Sequence, residues 1–190
     1  MSITINGNGT ITGYDPVPNG SITSAKLASG VGGKILQLKS TSVTGTTSSD
    51  SASYVDISGM SVTLTPSSGT KVYVTYHIVV GGATGYSYGI RLMRDNNIIA
   101  SGDTYNAQNF DNNRGGYLTI NGTYIHGGNL DSAFLDTHGA DGSTAVTYKL
   151  RWKSPYQQYI YLNRSHTGSA NNQYDPNYSV STITAMEVAA

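Results

Sequence analysis

The chain has 190 residues, of which 37% are hydrophobic, and this is enough for one domain with a buried core. Its 11 Lys and Arg balance its 11 Asp and Glu, so no net field attracts nucleic acid or an anionic membrane. Cysteine is absent, which excludes disulfides, thiolate zinc sites and a cysteine nucleophile. The start lacks the pattern of a secretory signal, and the apolar run 78–80 is too short to span a bilayer. We therefore expect a product of the cytoplasm that does not insert into a membrane.

Residues 1–33 form a segment rich in Gly, Ser, Thr and Asn with few side chains to bury. Ordering such a segment costs about 1–2 kcal/mol of backbone entropy per residue, which so few apolar contacts do not offset. We therefore predict an extended attachment arm that is held by a sister subunit or by a larger assembly. Its contacts would be made by the apolar side chains of the arm, namely Ile3, Ile5, Ile11, Ile22 and Leu27.

Residues 34–190 alternate apolar and polar side chains as β-strands do, and they contain little of the Glu, Lys and Ala that favour helices. In chain order, strands are predicted over 35–39, 60–65, 71–80, 86–94, 98–100, 117–120, 144–152, 158–162 and 181–188. Residues 95–97 predict a tight turn and hence a hairpin. Short strands at this spacing predict an all-β, antiparallel β-sandwich of the jelly-roll type.

Two long polar segments, 105–116 and 165–178, separate predicted strands and are rich in Asn, Gln, Ser and Tyr. Loops of this size on a β domain are functional, packed against a neighbour, or simply solvated. The sequence leaves these alternatives open.

Three short motifs resemble catalytic signatures, and each lacks the required context. Residues 85–89 match a nucleophile elbow, but the alternation continues beyond them, so Ser87 is predicted to lie within a strand. A Ser-x-x-Lys pattern at 68–71 requires a helical turn, whereas the sequence there predicts a turn between strands. The Gly-rich segment 30–34 has no Ser or Thr after its lysine and lacks the glycine spacing of a phosphate-binding loop.

The segment 136–142 places two aspartates and His138 in one loop, a set that could bind a metal ion. A Gly/Asp turn explains the same residues without metal, and we favour it. A histidine on a three-fold axis of an oligomer is an alternative ion site. The ten Asp and the single Glu, Glu187, form no recognisable acid pair for glycoside cleavage. We therefore expect neither a metal nor a cofactor.

Aromatic residues and polar donors are grouped near the end of the chain. Such interleaving is typical of surfaces that contact carbohydrate or protein. Alternation places Tyr159 and Tyr161 on one face of a strand, so packing in the core or in a subunit interface is the alternative. The candidate receptor-contact residues are Trp152, Tyr156, Tyr159, Tyr161, Arg164 and His166.

Both ends of the chain and the junction between arm and domain carry the segments NGNGTITG, NGSITSAKLASGVGGKILQL and STITAMEV. These resemble segments of virion appendage proteins of tailed bacteriophages, namely small tail fibres and head-surface fibre or decoration proteins. The resemblance implies a homotrimer whose N-terminal arm docks on another virion protein and whose β-sandwich knob faces outward. It is architectural and carries over no catalytic residue.

Three functions are therefore weighed. The first is a non-enzymatic structural protein of the virion, whose trimeric knob binds a glycan or protein of the host surface. The second is a capsid decoration protein whose arm clamps neighbouring capsid subunits and stabilises the head. The third, from a different class, is a carbohydrate-binding lectin or a depolymerase.

Overall fold

The computed structural model describes residues 34–83, 85–100, 128–166 and 179–189, together with three short stretches of backbone at 4–5, 11–12 and 116–119. The chain divides into two compact units, Met1–Lys34 and Ile35–Ala190. No helix in the described part of the chain is long and apolar enough to cross a membrane.

In the first unit, the described backbone forms a single antiparallel pair, Thr4–Ile5 (β1) with Ile11–Thr12 (β2). Two of the predicted arm contacts, Ile5 and Ile11, are register partners in this pair. The other three, Ile3, Ile22 and Leu27, lie outside the described residues. That the arm attaches the protein to something else stays a prediction.

In the second unit, every described strand pairing is antiparallel, and no residue described there is helical. The predicted all-β, antiparallel class is confirmed. The jelly-roll order and the trimer stay predictions. The strands are Ile35–Val43 (β3), Thr47–Ser49 (β4), Val55–Leu64 (β5), Lys71–Gly82 (β6), Ser87–Arg94 (β7), Asn97–Ile99 (β8), Gly116–Thr119 (β9), Gly128–Asp136 (β10), Val146–Lys153 (β11), Ile160–Leu162 (β12) and Ser181–Val188 (β13).

Sheet I is built around β6, whose twelve residues form ladders on both edges. On one edge β6 pairs with β10. On the other edge it pairs first with β13 and then, nearer its end, with β12. The outer neighbours on that side are β3, which pairs with β13, and β4, which pairs with β12. Sheet II has the order β5, β11, β7, β8, with β9 also paired to β7.

One hydrophobic core is shared by the two sheets. Sheet I contributes alternate residues of β6, β12 and β13, and sheet II contributes alternate residues of β5, β7 and β11. Alternation creates this core because every second side chain of a strand points to the same face. Its largest fully buried side chains include Trp152, Tyr88 and Tyr148, all from sheet II.

Eight of the nine predicted strands overlap observed strands by three residues or more, and the predicted strand at 98–100 overlaps β8 by two. The predicted tight turn is also present, with Asp95 in the left-handed region at φ 52°. The sequence analysis missed β4, β10 and the first half of β5. The inward positions of β10 include Leu130, Ser132 and Phe134, and the polar Ser132 interrupts the alternation of apolar and polar residues that would predict a strand.

The two long polar segments fall largely outside the described residues. All of 105–115 is outside, and within 165–178 only Ser165 and His166 are described.

A buried polar junction fills the place where β12 ends and β13 begins along the same edge of β6. Asn163, 1% exposed, donates from its backbone N–H to the Val79 carbonyl at 2.8 Å. Its side-chain amide donates to the carbonyls of Val43 and Gly45 at 2.7 and 2.9 Å. Its side-chain oxygen accepts from the Ser181 hydroxyl at 2.6 Å. These bonds replace the ladder that is interrupted between the end of β12 and the start of β13.

Removing the Asn163 side chain should therefore destabilise the second unit. The Asn163→Gly variant keeps the left-handed backbone, observed at φ 56°, without strain and deletes only the amide. It leaves the buried Ser181 hydroxyl without its acceptor and the carbonyls of Val43 and Gly45 without this donor, for which we expect a loss of about 2–4 kcal/mol in the free energy of unfolding. Urea unfolding followed by tryptophan fluorescence would measure it. The control is Asn96→Gly in the exposed β7–β8 turn, expected to change stability by less than about 0.5 kcal/mol; equal effects would contradict the role of the junction.

Glu187 is a second buried polar centre, on the core-facing side of β13 and 1% exposed. It accepts hydrogen bonds from Gln37 Nε2 at 2.5 Å, Ser67 N at 2.8 Å and Thr70 Oγ1 at 2.8 Å. Burial alone would raise its pKa, but these donors favour the ionised form and hold the pKa of Glu187 below its usual value. The carboxylate thereby ties β13 to the β5–β6 turn.

The stability of this unit should consequently depend on acid through Glu187. A carboxyl group whose pKa is lowered by folding stabilises the protein fully above its unfolded pKa of about 4.3, and the contribution is lost as the pH falls through the lower folded value. Glu187→Gln should cost about 1–3 kcal/mol at pH 7 and flatten the decline below pH 4.3. Thermal unfolding from pH 7 to pH 2.5 would test this. A variant with the wild-type acid slope would show that other groups carry the effect.

Candidate functional site

The short strand β12 presents one aromatic side chain outward between two core residues. Ile160 and Leu162 are fully buried, so Tyr161 between them faces away from the core. Its register partners are Ser48 on β4 and Gly81 on β6, both small. The Tyr161 ring therefore lies on the outer face of sheet I with no large neighbour across the ladder.

Four of the predicted contact residues come together around this ring, and we call them the Tyr159 cluster. The rings of Tyr159 and Tyr161 are stacked, with centroids 5.9 Å apart and planes inclined by 24°. The guanidinium carbon of Arg164 lies 4.3 Å from the centroid of the Tyr161 ring. The His166 ring is tilted against Tyr161 at 5.7 Å. Tyr159 is 49% exposed, so the stack ends in an accessible aromatic face.

The cluster is positioned from the core by Tyr88 of sheet II, whose side chain is fully buried. The Tyr88 hydroxyl donates to the Tyr159 carbonyl at 3.3 Å and accepts from the Ala83 N–H at 2.8 Å. Gly82 leaves room for this ring, since a Cβ there would lie 2.6 Å from Tyr88 Cε2. Burial raises the pKa of Tyr88, so its hydroxyl stays protonated and keeps its donor role. The backbone that carries Tyr159 is thus anchored across the two sheets.

The turn that carries Arg164 packs directly on β6. A Cβ at Gly81 would collide with the carbonyl oxygen of Arg164 and come within 2.7 Å of Ser165 Cα. Close backbone approach of this kind requires glycine. Asn163 at the start of the turn adopts a left-handed conformation, and Ser165 is 3% exposed. The arginine and histidine are therefore held on a packed turn.

His166 is an uncharged member of the cluster at neutral pH. Partial burial, and next the positive charge of Arg164, lower its pKa below the usual 6.5. The cluster then combines three neutral rings with one cation, and this composition suits contacts to sugar hydroxyls or to a protein surface.

Two of the predicted contact residues do not belong to this cluster. Trp152 is 1% exposed and is part of the core, so its assignment to the surface was wrong. The physical reason is alternation: Trp152 shares the inward face of β11 with Tyr148 and Leu150. Tyr156 is 46% exposed, but its ring contact is with Tyr86, at 5.8 Å and an inclination of 55°.

Sequence reasoning missed a further aromatic contact, on sheet II. The Arg91 guanidinium carbon lies 3.6 Å from the centroid of the Tyr54 ring, and Lys153 Nζ lies 5.0 Å from it. Arg91 and Lys153 are only 7% and 5% exposed, which makes this a structural cation–π group. Alternation in β7 and β11 would have placed the two cations on the face opposite the core, but it gives no indication that Tyr54 lies between them.

Two of the three motifs that resemble catalytic signatures lie in strands and in the turn between strands. Ser87 opens strand β7 and pairs with Thr119 of β9, as the interpretation of a strand serine predicted. Ser68 and Gly69 form the turn between β5 and β6, as predicted, and Lys71 begins β6. Of the Gly-rich segment 30–34, only Lys34 is described.

In the segment 136–142 the first aspartate links the two sheets. Asp136 of β10 is 4% exposed and accepts from Arg94 Nη1 at 2.9 Å through both of its oxygens. It also accepts from the Tyr148 hydroxyl at 2.7 Å. Burial, and next the hydrogen bond to Asp136, raise the pKa of Tyr148 far above its usual value, so this phenol remains a donor.

The other two members of this segment are also engaged locally. His138 Nδ1 accepts from the Ala140 N–H at 2.8 Å, while Nε2 lies 3.2 Å from Thr70 Oγ1. Asp141 accepts from the N–H groups of Ser143 and Thr144 at 2.9 and 3.0 Å, and these bonds hold its pKa well below the usual value. Among the described residues, no group of three or more His, Asp or Glu is placed to hold a metal ion. The Asp141 carboxylate thus caps the bend at 142–144.

In comparisons with known proteins, no family model and no curated protein matches this chain.

The close packing of the turn on Gly81 generates a prediction. Gly81→Ala should displace the backbone of Arg164 and Ser165, cost about 1–3 kcal/mol of stability and disorder the Tyr159 cluster. Gly45→Ala is the matched control, because a Cβ there meets nothing within 4 Å. Urea unfolding gives the stability, and the chemical shifts of the Tyr161 ring protons report the cluster. Unchanged tyrosine shifts in a stable Gly81→Ala protein would contradict this account.

Proposed function

We propose that this chain is a non-enzymatic structural protein of a tailed-phage virion, whose second unit is an outward-facing knob that binds a glycan or protein of the host surface. The observation that carries the proposal is the Tyr159 cluster, an accessible aromatic stack with an adjacent guanidinium held by packed backbone. Rigid aromatic surface with a few fixed polar groups gives contact area at low entropic cost.

The division of the chain supports the attachment half of the proposal. A short N-terminal unit precedes a larger unit that contains the shared core, as expected of an arm joined to a knob. The resemblance of both chain ends to phage appendage proteins points the same way. We propose on this basis that the first unit docks on another virion protein, that the knob is a jelly-roll sandwich, and that the assembly is a homotrimer located in the virion.

The acid and base side chains considered in the sequence analysis are occupied by structural hydrogen bonds, and this favours binding over catalysis. Asp136, His138 and Glu187 are at least 91% buried, and each is hydrogen-bonded to neighbours that hold the fold together. A general acid or base must reach its substrate, and these groups face the protein interior. The Tyr159 cluster, in contrast, is partly exposed and offers contact surface through the ring of Tyr159.

A competition experiment tests the host-binding function. Free protein, added to host cells before the phage that carries it, should block adsorption, and Tyr159→Ala/Arg164→Ala should require about tenfold more protein for the same block. The control, Ser61→Ala/Lys149→Ala, removes an exposed hydroxyl and a cation from the outer face of sheet II. Circular dichroism would verify that both variants fold.

The other two functions give different outcomes in the same system. Protein that binds purified heads at a fixed stoichiometry, raises their melting temperature and leaves adsorption unaffected would be a capsid decoration protein. Release of reducing sugar from host envelope would identify a depolymerase. A double variant that blocks as well as the wild type would remove the Tyr159 cluster from host binding.

A further inference from the structure

The outer face of sheet I carries an apolar row far from the Tyr159 cluster. The ladder registers align Leu38 of β3 with Met186 of β13, Met186 with Tyr73 of β6, and Tyr73 with Leu135 of β10. All four side chains point away from the core, because the residues before and after them on β6 and β13 are buried. We call these four residues the Leu38 row.

The Leu38 row is largely accessible in the single chain. Leu38 is 54% exposed, Leu135 48% and Tyr73 37%, and at the start of β3 Ile35 and Leu36 are 54% and 51% exposed. Isolated apolar side chains on a surface are ordinary, but an aligned set across four strands forms a contiguous patch. The water-facing side of an antiparallel sheet normally carries polar side chains at such positions.

The next row along the same face consists of small side chains. Ser40, Thr184, Thr75 and Ala133 follow the Leu38 row in register on the same four strands. Two of their hydroxyls are already paired with each other, Ser40 Oγ with Thr184 Oγ1 at 2.8 Å. Because these side chains are short, a shallow depression lies beside the Leu38 row, and Thr75, Ala133 and His77 are among the residues that line it. Side chains of a packed partner can enter such a depression, since stacked sheets lie about 10 Å apart with interdigitating side chains.

The face is also nearly free of net charge. In the row beyond the small side chains, His77 Nδ1 and Asp131 Oδ1 lie 2.5 Å apart and satisfy each other. Lys71 at the start of β6 is the one further charged residue of β6 on this face. A nucleic acid or a strongly charged protein requires a complementary field, which this face does not supply.

From these observations we propose that the Leu38 row and the small side chains beside it form the surface on which a second copy of this chain docks. Copies of a neutral chain meet without net repulsion, and the apolar row of one copy can fill the depression of the next, a head-to-tail contact of the kind that closes into a ring. With strands about 4.8 Å apart and same-face residues about 6.8 Å apart, the two rows cover roughly 260 Å². This is about a third of what one partner buries in a standard interface, so the two rows form the centre of the contact and their surroundings complete it.

This inference rests on the oligomer in the proposed function and identifies a surface through which it forms. Its test measures association between copies of the chain and does not depend on host binding.

Single cysteines provide the test, because the natural chain has none. In full-length protein, Ala133→Cys lies on the proposed interface, and Ser61→Cys lies at an exposed strand position on the outer face of sheet II. We expect the wild type to sediment as an oligomer at about 10 µM. We expect a maleimide to label residue 133 at least tenfold more slowly than residue 61, and dilution to dissociated protein to abolish the difference.

Charge insertion gives an independent measurement. Leu135→Glu should weaken association at least tenfold in sedimentation equilibrium, whereas Ser61→Glu, placed opposite Lys149, should leave it unchanged. Equal maleimide labelling rates at residues 133 and 61 in an oligomer would show that copies meet elsewhere. Slow labelling of residue 133 in a monomer would show that the chain covers its own face. Either result, or a wild type that is monomeric throughout, overturns the inference. If a monomeric protein still blocks phage adsorption, this inference is wrong and the host-binding proposal stands.

Discussion

The fold of the second unit depends on the junction at Asn163 and Ser181, where side-chain hydrogen bonds bridge an interruption in sheet I. Two strands, β13 and the short β12, share one edge of β6, and a ladder cannot continue across the gap between them. Asn163 and Ser181 bridge this gap, since Asn163 bonds to carbonyls of three segments and Ser181 Oγ accepts from the Val79 N–H at 3.0 Å. An unpaired backbone group at this buried position would cost about 1–3 kcal/mol.

The same junction determines the geometry of the candidate binding surface. Asn163 follows β12 directly, so the residue that completes the sheet also starts the turn that carries Arg164 and His166. Gly81 allows this turn to lie on β6, and Tyr88 fixes the Tyr159 carbonyl from the opposite sheet. The exposed cluster is therefore an extension of the packed core, and its rings are positioned before any ligand arrives, which reduces the entropic cost of binding.

The sequence predicts those features of the fold and the site that depend on residues close together in the chain. It does not predict those that depend on contacts between residues far apart in the chain. Alternation is local, and it located β6 because the inward side chains of that strand are almost all apolar. It failed for β10, where inward Ser132 and Asp136 find partners elsewhere in the fold. Applied to β11, it would have placed Trp152 in the core with Tyr148; treating Trp152 as part of an aromatic group overrode that signal. The junction itself was out of reach, because Asn163 meets Val43 and Gly45 across about 120 residues of sequence.

The outer face of sheet I has two ends with different chemistry. Gly81, beneath the Arg164 turn, and Tyr73, in the Leu38 row, are eight residues apart on β6 and therefore separated by about 26 Å. A ligand the size of a few sugar rings at one end would not reach the other. Self-association at the apolar end and host contact at the aromatic end are hence compatible on one sheet, and repetition of the knob would multiply a weak contact by avidity. If copies associate through the far end of β6 as proposed, each Tyr159 cluster needs only modest affinity for its ligand, because several clusters then bind together.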